Sequence, residues 1–503
     1  MNYQCTRNGN SRVTAAQAIV QGIAKDGGLF VPETLPQYTH GDFLEMQNGS
    51  YNDRAVKILS DFLPEFTKAD VTACVNAAYA KEKFSGGNPA PLNKVPLANG
   101  EMHVLELWHG PTCAFKDMAL QLLPHLLTHS LKITNCDKTA VILVATSGDT
   151  GKAALEGFKD VEHTKMLVFY PENGVSPMQK RQMNTQEGSN VSVCAIEGNF
   201  DDAQTGVKKL FVNPEICKKL DEHGMAFSSA NSINWGRLLP QIVYYFSAYC
   251  DLLKNGTLTK EGQPINIVVP TGNFGNILAA YYAKKMGLPV HKLICASNAN
   301  RVLTEFLKTG TYNRNRAFYA TISPSMDILI SSNLERLLFD ATGHDAKKVA
   351  GWMQELAENG SYTVDKQTLA EIQKVFAADY CNDKTTEETI AEVYNTAHYL
   401  CDTHTAVAVN AYMQYKEETG DNTPTVVVST ASPYKFADAV LRAVSANYNE
   451  SMDEFAKVEQ LSKETGTEIP KPIAALQSKQ VRFKNLCAPQ DMGEQLLKLL
   501  HLQ

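Results

Sequence analysis

The chain has no basic excess. Its 503 residues carry 47 lysines and arginines against 54 aspartates and glutamates, a formal net charge of −7. Without surplus cations to offset phosphates, nucleic acid is excluded as the main partner. Nor does any apolar run approach the roughly 18 residues that span a bilayer, so no membrane partner is expected. Residues 1–10 have neither the apolar centre of a secretion signal nor the arginine richness of a transit peptide. The expected compartment is therefore cytoplasmic. The eleven cysteines are scattered, with no C-x-x-C pair, and read as mostly small buried hydrophobes in a reducing environment. Histidines do not cluster at ligand spacing and no H-E-x-x-H occurs, so no metal site is expected. Internal repeats and low-complexity segments are absent too.

What is present is an ordinary globular composition, 44% hydrophobic and 20% charged, long enough for two or three domains with their own cores. Residues 1–95 read as an N-terminal helical segment, with apolar helical spacing over Val13–Ala24, Tyr51–Phe62 and Ala69–Lys81. From about residue 96, β-branched runs recur at Val141–Ala145, Met166–Tyr170, Val191–Ile196, Ile265–Val269, Leu293–Ala296 and Thr425–Ser429, mostly separated by helical patterns. That alternation predicts an α/β fold with buried, largely parallel strands. Residues 96–145 and 262–450 are assigned to a large domain carrying a helical insertion at about 300–400. Residues 146–261 form a smaller α/β domain, and 451–503 a C-terminal extension that ends in helix.

In such sheets ligands sit beyond the carboxyl ends of strands, so the turns that follow the strands carry the information. Glu106–Gln121, ELWHGPTCAFKDMALQ, runs from an apolar strand through Gly110-Pro111 into a helix with Lys116 in its first turn. Apolar neighbours Phe115, Met118 and Leu120 would strip water from that amine, lower its proton affinity and free it for covalent chemistry. A lone helical lysine is ordinarily only a solvated charge; its company decides. After Val141–Ala145 comes TSGDTGK, whose spacing fails the nucleotide-loop pattern but which offers hydroxyls and amides to a carboxylate. TGNFGN, Thr271–Asn276, places glycines and a helix start where a phosphate fits. SSANSINWGR delivers Asn231, Ser232 and Arg237 as a second anion-binding group. STASPYKF sets Thr430 at a strand end, where a hydroxyl could reach a ring nitrogen.

Together His109–Asp117 (HGPTCAFKD), Ser147–Gly151 (SGDTG), Asn231–Arg237 (NSINWGR) and Pro270–Asn276 (PTGNFGN), in this order, resemble the threonine synthase family of fold-type II pyridoxal-phosphate enzymes, as does the opening AQAIVQGIAKDGGLFVP. The likeness is strongest over residues 15–300 and continues through DTHTAV to STASPYKF. It implies a tryptophan synthase β-like architecture and pyridoxal 5'-phosphate as cofactor. It further implies that Lys116 carries the cofactor and that Gly272, Asn273, Phe274, Gly275 and Asn276 hold its phosphate. Thr430 would bond the pyridine nitrogen; Ser147, Gly148, Asp149 and Thr150 would seat the substrate carboxylate. Asn231, Ser232, Arg237 and Lys435 would take the substrate's own phosphate. The implied substrate is O-phospho-L-homoserine, converted with water to L-threonine and phosphate by a monomer, a dimer being the alternative. Two other readings stand beside this one: a serine/threonine dehydratase of the same fold, which needs no second phosphate site, and a catalytically silent relative that only binds ligands.

Overall fold

The computed structural model describes residues 1–502 apart from Asn99, Ser147 and Gly174, with the side chain of Asp201 also left out. Two sheets dominate. The larger has six strands in the order 376–380, 290–297, 265–270, 425–429, 100–106, 92–97. All its pairings are parallel except the hairpin at its edge, 92–97 against 100–106. The smaller has five parallel strands in the order 485–487, 191–196, 164–171, 139–145, 225–228. The central strands read as continuous apolar runs because helices cover both faces; Ile265–Pro270 and Thr425–Ser429 are buried at every residue.

Four expectations need correction. Strand Thr139–Ala145 belongs to the smaller sheet, not to the larger one with residues 96–138, so the change of sheet falls before Thr139 rather than at 145. Buried parallel strands have nearly interchangeable sequences, which hides such an assignment. The extension beyond 451 is not wholly peripheral: Asn485–Cys487 supplies an edge strand to the smaller sheet, in register with Cys194–Ile196. The N-terminal segment is mainly helical, as Tyr51–Phe62 and Lys68–Ala78 show, but adds a small antiparallel sheet of Tyr3–Cys5, Arg12–Val13 and Phe30–Pro32. Near residue 376 the insertion also turns from helix to strand, since Phe376–Tyr380 forms an edge of the larger sheet.

Trp235–Lys254 is the central helix of the molecule, with 17 of its 20 residues buried. It packs on helices Gly275–Lys285 and Tyr51–Phe62 and on the short helix Lys116–Leu120. Among the described residues no helix is long and apolar enough to cross a membrane.

Candidate active site

Five turns leave the carboxyl ends of five strands and face one another: 107–116, 146–150, 229–237, 271–276 and 430–435. The turn before Lys116 is built by a buried carboxylate. Asp117 accepts from the Thr112 amide at 2.8 Å and the Thr112 hydroxyl at 2.7 Å. A β-carbon on Gly110 would lie 2.6 Å from Asp117 Oδ2, so only glycine lets that carboxylate close the turn. The next strand end pins the segment: Phe115 N–H donates to the Thr430 carbonyl at 2.8 Å, and Ser432 N–H to the Cys113 carbonyl at 3.0 Å.

Lys116 projects into the space between the sheets with its side chain 11% exposed. Burial pushes its ammonium down to about 8, with Asp149 opposing the shift and Lys435 and Arg237 adding to it. Asp149 Oδ2 is 3.7 Å from Lys116 Nζ, and Ser325 Oγ, at 3.1 Å from Nζ and 3.2 Å from Asp149 Oδ2, lies between them. Burial alone would raise the Asp149 carboxyl. The ammonium groups of Lys435 and Lys116, with the Gln179 amide at 3.0 Å, instead hold it well below the usual carboxylate range.

The 271–276 turn is a cradle of unspent donors. Among the described residues, no acceptor takes the backbone amides of Gly272 to Asn276. Phe274 adopts the left-handed conformation, φ 63°, as N-cap of helix Gly275–Lys285, an arrangement costing a non-glycine residue about 1 kcal/mol. Around that helix start the buried side-chain amides Nδ2 of Asn276 and Asn333 lack partners too. Both tyrosine hydroxyls behind it, Tyr244 and Tyr245, donate to Asn276 Oδ1, so its Nδ2 is left for something else. Amide donors, side-chain donors and a helix dipole converging on one point fit a phosphate dianion.

A cation without a counterion lies nearby. Arg237 is buried, donates through Nη1 to the Ala230 carbonyl at 2.8 Å, and has no carboxylate partner among the described residues. Burial without a counterion pushes it down to about 10. Asn231 and Ser232 share its turn, half-buried, and their side chains make no hydrogen bond among the described residues. Thr430 is buried and its hydroxyl is likewise unclaimed.

Two expected roles do not suit the geometry. Lys435 was expected to meet a substrate anion, yet its side chain is wholly shielded, 2.6 Å from Asp149 Oδ1 and 3.1 Å from the Thr112 carbonyl. Its charge is already committed. Asp149 was expected to help seat a substrate carboxylate through its amide; its anionic side chain would repel such a group, so only the backbone N–H suits the task. The Gly148 amide is also taken, by Thr146 Oγ1 at 3.0 Å; the amides of Asp149 and Thr150 and the Thr150 hydroxyl have no partner among the described residues and suit that task. Ser147, expected in the same role, lies outside the described residues.

Sequence reasoning passed over Ser325, Gln179, Asn333 and His404. The insertion looked like a charged helical elaboration, and the only local hints were its polar runs Ser323–Ser325 and Ser331–Asn333. His404 carried a stronger signal, since Asp402 stands two residues before it at a helix N-cap.

Residues 2–79 match the family model for the threonine synthase N terminus, 84–380 that for the pyridoxal-phosphate dependent enzymes, and 405–490 that for the threonine synthase C-terminal region. The threonine synthase of Saccharomyces cerevisiae is 39% identical over 486 residues, 92% of each chain. The chain belongs to the threonine synthase family. Its architecture is accordingly that of the fold-type II pyridoxal-phosphate enzymes. A crystal structure of pyridoxal-phosphate-bound threonine synthase from Brucella melitensis superposes with a TM-score of 0.86 at 37% identity, covering 100% of this chain and 99% of that one. Threonine synthase-like 1 of Macaca fascicularis is 41% identical over 439 residues, 85% of this chain. This family member spans only 58% of that longer relative.

Proposed function

We propose that this chain converts O-phospho-L-homoserine and water to L-threonine and phosphate, with pyridoxal 5'-phosphate as its cofactor. The observation that carries the reading is the pair of anion-ready sites flanking one buried lysine. The cradle at 272–276 suits the cofactor's phosphate, and Arg237, delivered by a different turn, keeps a guanidinium with no carboxylate partner among the described residues. A dehydratase of the same fold has no use for that second site.

The geometry supports the following roles. When bound, the cofactor supplies the electron sink that makes the Cα and Cβ hydrogens acidic. Lys116, whose amine burial has made easier to deprotonate, would carry the cofactor and move protons at Cα, Cβ and Cγ as phosphate leaves Cγ and water adds at Cβ. The amides of Asp149 and Thr150, with the Thr150 hydroxyl, would seat the substrate carboxylate. Arg237, with Asn231 and Ser232, would hold the substrate's phosphate and then the departing dianion, a planar fork being suited to both. Thr430 would bond the pyridine nitrogen. Lys435 is assigned instead to holding Asp149 in place.

The two sheets would act as two domains meeting over Lys116, in a monomer. Eleven free thiols support a reducing compartment, the cytoplasm. Purified protein supplied with pyridoxal phosphate should show an absorbance band near the visible edge and release phosphate and threonine from O-phosphohomoserine in equal amounts. A band with no phosphate release, but with oxo acid formed from serine or threonine, would establish the dehydratase. Absence of any band would leave only a binding protein.

A further inference from the structure

The short turn Pro324–Met326 lies between the cradle and Lys116. A β-carbon built on Gly272 would sit 2.8 Å from the Ser325 carbonyl oxygen, so the turn rests directly on the cradle's backbone. The turn is held from behind by a histidine. Ser325 N–H donates to His404 Nε2 at 3.1 Å. A backbone amide can only donate, so Nε2 presents a lone pair and the ring proton sits on Nδ1. That nitrogen faces Asp402 Oδ2 at 2.7 Å, which fixes the tautomer. His404 is 2% exposed and packs edge-on against Phe436, with ring centres 4.8 Å apart.

The consequence falls on Lys116. Its amine and the Asp149 carboxylate are 3.7 Å apart, beyond hydrogen-bond reach, and the Ser325 hydroxyl spans them at 3.1 and 3.2 Å. A hydroxyl that donates to a carboxylate is polarised and becomes a stronger acceptor for a cation on its other side. The other charged groups acting on the amine are Lys435 and Arg237, which both repel its protonated form; the neutral Phe115 ring, its centre 5.6 Å away, offers its face to the cation. Ser325 is thus the one described side chain bonded directly to Nζ.

We propose that Ser325 seats the reacting amine, bridging Lys116 to Asp149, and that His404 is the positioning residue that keeps the bridge in register. The inference rests on the reading of Lys116 as the reacting amine; it does not depend on which substrate is turned over. The hydroxyl would keep the amine aimed and would favour its protonated form.

The test compares Ser325→Ala and Ser325→Thr with the parent, as full chains. In cofactor-free protein, the rate at which acetic anhydride acetylates Lys116, followed by peptide mass across pH, reads the amine's titration. Ser325→Ala should move that midpoint down by about one pH unit, the size of one charge-assisted hydrogen bond, and Ser325→Thr should restore most of it. In the cofactor-loaded enzyme Ser325→Ala should lower kcat on O-phosphohomoserine tenfold or more while KM stays within about twofold, with cofactor content unchanged. An unmoved acetylation midpoint in folded Ser325→Ala overturns the proposal whatever the kinetics. A shifted midpoint with no activity in the parent upholds the bridge and rejects only the assigned substrate.

Discussion

Lys435 Nζ lies 2.6 Å from Asp149 Oδ1, and both side chains are almost completely shielded from water. Each charge is the other's nearest counterion in the interior, and removing one partner leaves the survivor poorly compensated. Lys435→Met should therefore cost about 3 kcal/mol or more of folding stability, read from urea midpoints at neutral pH. Lys435→Met with Asp149→Asn should recover part of the loss. If the single variant is as stable as the parent, Lys435 is not the counterion it looks to be.

The pair also sets an acid limb. The native Asp149 carboxyl titrates well below its unfolded value of about 3.9, so it contributes stability that is fully present above about pH 4 and is lost as pH falls toward the native value. The parent should accordingly lose stability steeply below about pH 4, and Asp149→Asn should flatten that limb. Chemical denaturation at a series of acid pH values checks the sign: a limb unchanged in Asp149→Asn would assign it to other carboxylates.

Lys116→Ala should lower threonine formation by about a thousandfold or more while the fold is kept, because the covalent tether and the proton carrier are lost together. Borohydride should fix pyridoxal phosphate to the Lys116 peptide in the parent and to nothing in the variant. Turnover within tenfold of the parent would reject the assignment.

Gly275→Val should empty the cradle. A β-carbon at 275 would stand 3.4 Å from Asn333 Nδ2, an unpartnered donor, so valine's further methyl groups would crowd the helix start where the phosphate is expected. The variant should lose pyridoxal phosphate on dialysis where the parent keeps it. Stoichiometric retention would place the cofactor's phosphate elsewhere.

The residues of the site differ in how far they could be read from the chain. The turns around Lys116 and Gly272–Asn276 are local, a strand end, a glycine turn and a helix start within a dozen residues, and their chemistry is visible in a window of sequence. The central strands were legible for the same reason, since apolar runs announce themselves; the edge strands Phe376–Tyr380 and Asn485–Cys487 were not. What the chain conceals is pairing across distance. Thr139–Ala145 looked like any buried strand, and nothing in it names the sheet it joins. Ser325 reaches Lys116 across 209 positions of sequence, from within a stretch that read only as a helical insertion. Lys435 shows the opposite failure. Its residue type suited an anion site, but a wholly buried Asp149 had already claimed it, and burial is a property of packing rather than of the segment.

Arg237 gives the sharpest separation of function from folding. A guanidinium buried with a single carbonyl contact is a liability to the cofactor- and substrate-free fold, since desolvation is offset by no counterion. Arg237→Met should thus leave the melting temperature unchanged or raise it. The same change should lower kcat/KM on O-phosphohomoserine by about 1–3 kcal/mol, the scale of a lost charged hydrogen bond. Arg237→Lys should recover only part, because an ammonium cannot reproduce the planar fork. Inorganic phosphate adds a third reading: it should raise the melting temperature of the cofactor-loaded parent, by mass action on the native state, and not that of Arg237→Met. A capping arginine would behave in the reverse way, with stability falling on substitution and efficiency following it. Unchanged efficiency in a stable Arg237→Met would remove the second anion site and return the dehydratase reading.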